Sequence, residues 1–300
     1  MADHARPWSV AWRAAIDGFY SREPARQHFA TAVTQGPAVA QSIADVALPV
    51  LGPLADEHGC VTVTDAGAAD GLLLEQLIAM WPKDLAERTV WRALDLAERP
   101  TGLDAQVQWI RGEAMASASG LAPAPGLVIA HEFLDDIPCD IVEPDEAGRL
   151  RLLLVDDDGQ ERLGPLLTDA AACAEAGVDG PALAAWCECW WPRREPAARI
   201  EAGLLRDLAW WAMCRLVRPG LAIAIDYAHD RRARTSGRWD GGSLVGYHRG
   251  RVTRPRLDGS VNLTAHVALD ACAAAVEATA TSLEPTPAPD DFWWLVQWLP

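Results

Sequence analysis

A glycine-containing turn between two apolar segments is the first feature of this sequence that could do chemistry. Residues 65–71 read Asp-Ala-Gly-Ala-Ala-Asp-Gly, between a β-branched run and the periodic segment 72–81, a pattern that predicts strand, turn and helix. Glycine lets backbone amides approach a ligand, and a helix N-terminus carries partial positive charge. A dinucleotide fingerprint is disfavoured, because it needs glycines at i, i+2 and i+5, whereas Gly67 and Gly71 are four residues apart. An ordinary structural turn stays an open alternative.

An acid ends the next predicted strand. Residues 90–94 form a short apolar run, and Asp95 follows it. Ligands of open α/β sheets bind at the carboxyl ends of strands, where a carboxylate can accept hydrogen bonds from both hydroxyls of a ribose. A solvated surface aspartate is the alternative. The turn and the acid on neighbouring strands favour a ligand site over a purely structural turn.

The surrounding apolar runs predict the elements that hold these residues. Residues 8–55 have helical periodicity, and short apolar runs at 107–110 and 127–130 are separated by segments long enough for crossover helices. Such alternation predicts a parallel, doubly wound sheet.

The alternation pauses after residue 140. Alternating runs around 145–148 and 156–159 predict antiparallel hairpins. Residues 168–216 are rich in alanine and tryptophan and predict inserted helices. A buried strand is predicted at 221–226 and a final strand at 292–299.

Composition limits the classes of protein that fit. The chain has 300 residues, 50% of them hydrophobic, and a formal net charge of −16. This indicates a folded protein and disfavours general binding to nucleic acid, whose phosphates repel acidic surfaces. With no uninterrupted apolar run of about 18 residues, we expect no membrane span. The seven cysteines lack a regular framework, so we expect reduced thiols, a cytoplasmic protein and no metal site.

One stretch reverses the overall charge. Residues 230–258 contain eight arginines and three aspartates. This local positive charge would suit an acidic patch of a partner protein or an anionic substrate, although such runs are usually solvated loops.

A longer motif links the chain to a known family. Residues 131–138, His-Glu-Phe-Leu-Asp-Asp-Ile-Pro, resemble the Asn-Glu-Phe-Leu-Asp-Ala-Leu-Pro signature of the MidA-type methyltransferases. Relatives in that family include mitochondrial complex I assembly factors that methylate a protein arginine. Further blocks of resemblance, spread over most of the chain, lie at residues 19–21, 29–32, 220–227, 242–247 and 263–267.

The resemblance implies an α/β fold with a Rossmann-like class I methyltransferase sheet, a helical N-terminal segment and a helical insertion. It also implies S-adenosyl-L-methionine as cofactor. The residues expected to bind that cofactor are Asp65, Gly67, Ala69, Gly71, Asp95 and His131. The chain departs from the family pattern at four positions: Ala69 replaces glycine, His131 asparagine, Ala228 glycine and Asn262 an acid.

Methyl transfer needs the donor and the nucleophile held in line and shielded from water. If the acceptor is a guanidinium, Glu132 and Asp135 are the expected catalytic residues, since carboxylates can bind it bidentately. Alternatively, both acids could have a structural role in the N-terminal turn of a helix, where they would accept hydrogen bonds from backbone amides. His131 could accept a proton or make a structural hydrogen bond. Asp226 and Tyr227 could line the acceptor channel or pack at the edge of the core.

We therefore expect one methyltransferase domain over residues 1–300, with a helical lead-in (1–59), a first core part (60–140), an insertion (141–216) and the remaining core (217–300). The expected function is methylation of a protein side chain, with arginine implied by the resemblance and an acceptor protein as partner. A non-catalytic assembly protein of the same fold and a small-molecule methyltransferase are the alternatives.

Overall fold

A computed structural model describes residues 5–20, 32–286 and 292–300 of the chain. Part of the predicted helix of residues 8–55 lies outside the described residues. The same is true of residue 21 and residues 29–31 of the first two blocks of family resemblance.

The described residues contain ten α-helices and a 3-10 helix at Ala32–Gln35. The α-helices are α1 (Trp8–Tyr20), α2 (Ala38–His58), α3 (Leu72–Met80), α4 (Lys83–Ala86), α5 (Ala114–Ser119), α6 (Ala170–Glu175), α7 (Gly180–Trp190), α8 (Leu204–Cys214), α9 (Arg231–Thr235) and α10 (Leu269–Ala274).

The same residues contain fifteen strands. They are β1 (Arg6–Pro7), β2 (Val61–Ala66), β3 (Thr89–Asp95), β4 (Val107–Arg111), β5 (Ala124–His131), β6 (Asp140–Pro144), β7 (Leu150–Val155), β8 (Glu161–Leu166), β9 (Ile200–Ala202), β10 (Val217–Tyr227), β11 (Val245–His248), β12 (Arg251–Thr253), β13 (Asn262–Thr264), β14 (Ala280–Pro285) and β15 (Phe292–Leu299).

The chain divides into two compact units. The first unit comprises Met1–Glu23, Asp135–Asp207 and Tyr227–Ala271, and the second comprises Pro24–Leu134, Leu208–Asp226 and Cys272–Pro300. These boundaries differ from the predicted insertion at 141–216, and the prediction of a single methyltransferase domain stays a prediction.

The second unit is built on a seven-stranded, mostly parallel sheet with the order β14-β15-β10-β5-β2-β3-β4. Strands β10, β5, β2, β3 and β4 run parallel to one another, and β14 pairs antiparallel with β15. All six residues of β2 are buried, as expected for an apolar, β-branched strand covered on both faces. The parallel sheet and the final strand predicted from the sequence are therefore confirmed.

The chain order reverses between β2 and β5. From β2 the chain proceeds outward to β3 and β4, and then returns to β5 and β10 on the other side. In open α/β sheets, ligands bind outside the carboxyl ends of the strands at such a switch point. We therefore expect ligand-binding residues directly after β2, β3 and β5.

Helix α2 belongs to the core of the second unit. Its Ile43, Ala47 and Leu51 are fully buried, and the helix packs against β5, β2 and α3. By length and composition alone α2 could cross a membrane, with a mean hydropathy of 1.5. One such helix is weak grounds for a span, because core helices of folded proteins have the same composition.

The first unit contains the predicted hairpins. Strand β7 pairs antiparallel with β6, β8 and β1, and β9 pairs with β6. Helices α6 and α7 pack on this sheet, and Leu183, Trp186 and Cys187 of α7 are buried in its core. The indole of Trp186 donates to Asp207 at 2.7 Å. Several of the abundant tryptophans therefore build the core.

The prediction that residues 168–216 form helices is wrong in one respect. Strand β9 interrupts them, because three residues carry too little pattern to predict a strand whose partner lies far away in the sequence. The arginine-rich stretch is also not simply a loop, since it forms α9 and contributes to the small sheet β12-β11-β13. Its Arg234 is fully buried and binds Asp270 at 2.9 and 3.0 Å.

Candidate active site

The turn after β2 is fixed by left-handed glycines and by the neighbouring strand. Gly67 and Gly71 have φ values of 72° and 79°, and Gly71 is the N-cap of α3. The Gly67 amide donates to the carbonyl of Leu94 at 2.9 Å. A Cβ at Gly67 would lie 2.8 Å from Cδ2 of Phe133. Gly67 therefore needs to be glycine for both its backbone conformation and its packing.

Ala69 occupies the position where the family pattern has glycine. It has a φ of 51°, which costs an alanine about 1–2 kcal/mol. Its amide donates to Oδ2 of Asp95 at 2.8 Å. This bond helps to hold Ala69 in the left-handed conformation that glycine would adopt more easily.

Asp95 connects the ends of β2 and β3. Its Oδ2 accepts from Ala69, and its Oδ1 accepts from the amide of Ala97 at 2.7 Å. Burial raises the pKa of Asp95, although the amides of Ala97 and Ala69 oppose the rise. Each oxygen has a second lone pair, so the carboxylate can still accept a hydrogen bond from a ligand hydroxyl.

Asp65 places a further carboxyl group beside the turn. Asp65 is 2% exposed. Burial, followed by repulsion from Asp95 and Asp70, raises the pKa of Asp65 to about 8. A cationic ligand group would relieve this repulsion and favour the ionised form.

This raised pKa gives a pH dependence that can be measured. The folded state holds a proton on Asp65 that the unfolded state loses at a pKa near 3.8. The contribution of Asp65 to the free energy of unfolding should therefore fall as pH rises from about 4 to about 8 and level off above. We expect Asp65→Asn to stabilise the cofactor-free protein above about pH 8 by on the order of 6 kcal/mol.

Thermal unfolding of both proteins across this pH range measures the difference. Glu87→Gln, an exposed substitution in the same unit, is the control and should follow the wild type. Parallel curves for wild type and Asp65→Asn would contradict the assignment.

His131 ends β5 as a neutral ring. It is 8% exposed, and burial lowers its pKa to about 4. Its Nε2 lies 3.6 Å from Oε1 of Glu132 and makes no hydrogen bond among the described residues. At neutral pH His131 therefore offers an uncharged donor or acceptor and adds no positive charge beside Glu132.

Glu132 follows with a strained backbone. Its φ is 48°, a left-handed conformation that is uncommon for a residue with a side chain. The Glu132 amide donates to the carbonyl of Ile225 at 2.9 Å, and its Oε1 accepts from the amide of Ala32 at 3.2 Å. The side chain is 18% exposed. Strain of this kind is concentrated at functional sites.

Asp226 supports this segment rather than facing solvent. It is fully buried near the end of β10, and its Oδ2 accepts from the amide of Leu134 at 2.9 Å. Of the two roles left open by the sequence, this contact supports packing at the edge of the core.

The other acids of this motif lie in the first unit. Asp135 is 5% exposed, and its carbonyl accepts from Nη2 of Arg206 at 3.0 Å. Asp136 accepts from the hydroxyl of Tyr20 at 2.7 Å and from the side-chain amide of Asn262 at 2.8 Å. Asn262, another departure from the family pattern, thus has a structural contact. The catalytic role of Asp135 stays a prediction.

Two further residues of the family blocks also lie in the first unit. The ring of Tyr227 stacks on that of His266, with ring centroids 5.9 Å apart. The His266 amide donates to the hydroxyl of Ser243 at 2.8 Å, and its carbonyl accepts from Arg206 at 2.7 Å. The sequence indicates no role for His266 and does not distinguish Arg206 from the other arginines. A buried arginine that binds three carbonyls has no motif by which the sequence could reveal it.

The residues present fit S-adenosyl-L-methionine. This cofactor carries an ammonium group, a sulfonium and a ribose diol. Three carboxyl groups, those of Asp65, Asp70 and Asp95, lie close enough for Asp95 and Asp70 to raise the pKa of Asp65. Such a cluster favours a ligand with positive charge and hydroxyl donors. Asp95 would hold the diol, and Asp65 would face the cationic end.

Comparison with known structures supports the fold. A COG1565 superfamily member from Burkholderia thailandensis, bound to S-adenosylhomocysteine, has a TM-score of 0.69 at 21% identity, covering 93% of this chain and 73% of that one. A second protein of this superfamily from the same organism has a TM-score of 0.67 at 18% identity, covering 98% and 87%. No match to a curated protein is found.

The sheet order and the glycine turn thus define an α/β protein of the class I methyltransferase fold. The chain belongs to the family described as "Putative S-adenosyl-L-methionine-dependent methyltransferase", which matches residues 67–286. This confirms the family resemblance drawn from the sequence. The protein is an S-adenosyl-L-methionine-dependent methyltransferase.

Proposed function

We propose that the acceptor is a protein side chain, namely the guanidinium of arginine, presented by a partner protein. The observation that carries the proposal is Glu132, a carboxylate held directly after β5 by a left-handed backbone. The MidA-type resemblance, whose relatives include arginine methyltransferases, supports the same acceptor.

The chemistry follows from the groups around Glu132. The bound cofactor supplies a methyl group activated by a sulfonium. The Glu132 carboxylate can accept two N–H bonds of a guanidinium, one of them from the nitrogen that would attack the methyl group. Because burial lowers the pKa of His131 and keeps it neutral, no imidazolium competes with the guanidinium for Glu132. Methylation releases a proton from the acceptor nitrogen, and Glu132 is positioned to receive it.

The acceptor class can be tested with two peptides that differ at one residue. The purified protein is incubated with cofactor labelled in its methyl group and with a peptide containing either one arginine or one lysine. We expect label in methylarginine from the first peptide and none in the second. Label in the lysine peptide, or transfer to small molecules alone, would contradict the proposal.

We further propose that this reaction takes place in the cytoplasm. Support comes from the seven cysteines, all of which are free thiols in the structure, as expected in a reducing compartment.

A further inference from the structure

A short β-hairpin in the first unit concentrates arginine. Strands β11 and β12 pair antiparallel, and β12 lies at the edge of its sheet. We call residues 245–256 the basic hairpin, because four of them are exposed arginines: Arg249, Arg251, Arg254 and Arg256.

The turn of the basic hairpin holds an arginine under strain. Arg249 and Gly250 have φ values of 48° and 73°, so both central residues of this two-residue turn are left-handed. Asparagine or glycine suits such a position, and arginine there costs about 1–2 kcal/mol. The strain suggests that this side chain has a role beyond folding.

Three of these arginines have no carboxylate of their own. Arg249, Arg251 and Arg254 form no ion pair among the described residues, unlike Arg234 in the same stretch, which binds Asp270. Between them lies Val252, which is 62% exposed. Unpaired cations around an exposed apolar side chain suit a segment that combines carboxylates with an apolar residue.

A cavity of about 520 Å³ lies next to the basic hairpin, within the first unit. Arg254 and Arg256 line it together with the apolar groups of Trp8, Leu244 and Leu257. The hairpin therefore adjoins a concave surface able to hold part of a bound peptide.

The lining of this cavity also includes acids, which restrict what it can hold. Glu161 is bound by Arg199 through two contacts of 2.8 Å, and Asp157 pairs with Arg6 at 2.8 Å. Asp158 forms no ion pair within the described part of the chain, and Asp258 is the fourth acid of the lining. A lining of mixed charge repels a continuous polyanion but accommodates a peptide with spaced carboxylates.

From these observations we infer that the basic hairpin and its cavity dock an acidic, partly apolar segment of the acceptor protein. The inference rests on the proposed function, in which the acceptor is a protein. It specifies in addition that the docking segment of that protein is negatively charged. The chain as a whole has a net charge of −16, so this local positive surface can orient an acidic partner that the rest of the molecule repels.

The test measures binding apart from turnover. Fluorescence anisotropy follows a labelled peptide of alternating glutamate and leucine with the full-length protein, in the absence of cofactor. Arg249→Glu/Arg251→Glu is compared with Arg231→Glu/Arg232→Glu, which makes the same change of charge at exposed arginines of α9. Thermal unfolding checks that both variants are folded. If the double substitution unfolds the hairpin, the single variant Arg254→Glu, which lies outside the strands, replaces it in the binding measurement.

We expect the hairpin variant to weaken binding by about tenfold or more at low salt and the α9 variant by less than about twofold. A glutamine version of the peptide should bind the wild type as weakly as the acidic peptide binds the hairpin variant. Equal losses in both variants, no binding of the acidic peptide, or tighter binding of oligothymidylate or phosphatidylglycerol vesicles would overturn the inference.

This result is separable from the proposed function. If the acidic peptide binds through the hairpin but arginine peptides are not methylated, the proposed arginine acceptor is wrong and the docking surface is supported. Arginine methylation with acidic-peptide binding unaffected by Arg249→Glu/Arg251→Glu would reject the docking surface alone.

Discussion

Replacing Glu132 by glutamine is expected to lower kcat by about 100-fold or more, while S-adenosyl-L-methionine affinity changes by less than about threefold. Glutamine keeps the length of the side chain and can still accept from the amide of Ala32. It loses the negative charge that binds a guanidinium and the base that receives its proton. Steady-state kinetics with an arginine acceptor and calorimetry with the cofactor separate the two effects.

The matched control is Glu87→Gln, which removes one exposed carboxylate from the same unit. It should retain wild-type kcat. Unchanged turnover in Glu132→Gln, at unchanged cofactor affinity, would remove Glu132 from the mechanism.

Replacing Gly67 by valine is expected to weaken cofactor binding by about 100-fold or more. Gly67 has a φ of 72°, and an added Cβ would lie 2.8 Å from Phe133. The turn must therefore move, and backbone groups displaced by about 1 Å lose much of their contribution to ligand positioning. Calorimetric titration with S-adenosyl-L-methionine measures the loss.

A second left-handed glycine provides the control for this substitution. Gly59 has a φ of 82°, and a Cβ added there would meet no described atom within 4 Å. Gly59→Val thus introduces comparable backbone strain without a clash, and it should bind the cofactor with nearly wild-type affinity. Equal losses in both variants would point to general destabilisation rather than to the turn.

Much of the fold can be predicted from local pattern. The buried parallel strands β2, β5 and β10 contain apolar runs, and this signal lies within each strand's own residues. Strands β9 and β12 escape such prediction because each has only three residues. What stabilises them is pairing with a distant or neighbouring strand, which their own sequence does not record.

The glycine turn is recognisable because its function requires small residues at fixed spacing. The sequence does not show that Ala69 adopts a left-handed conformation, since alanine rarely does so. It also does not show that Asp95 binds the amides of Ala69 and Ala97. The contact with Ala69 depends on the pairing of β2 with β3, which brings together residues that are 26 positions apart. Packing of Phe133 on Gly67 escapes prediction for the same reason.

Neighbouring acids are hardest to distinguish. Glu132 and Asp135 are three residues apart, yet Glu132 accepts a hydrogen bond from Ala32, whereas the carbonyl of Asp135 is bound by Arg206. Glu132 also has a positive φ. Residue type alone gives no sign of such a conformation.

The cofactor site is tested most directly by calorimetric titration of the purified wild type and of Asp95→Ala with S-adenosyl-L-methionine. We expect saturable binding at one site per chain in the wild type. Binding should be lost in Asp95→Ala and retained in Asp84→Ala, an exposed aspartate of the same unit. A well-folded wild type that fails to bind, or an Asp95→Ala variant that binds as tightly as the wild type, would contradict the assignment of the cofactor site.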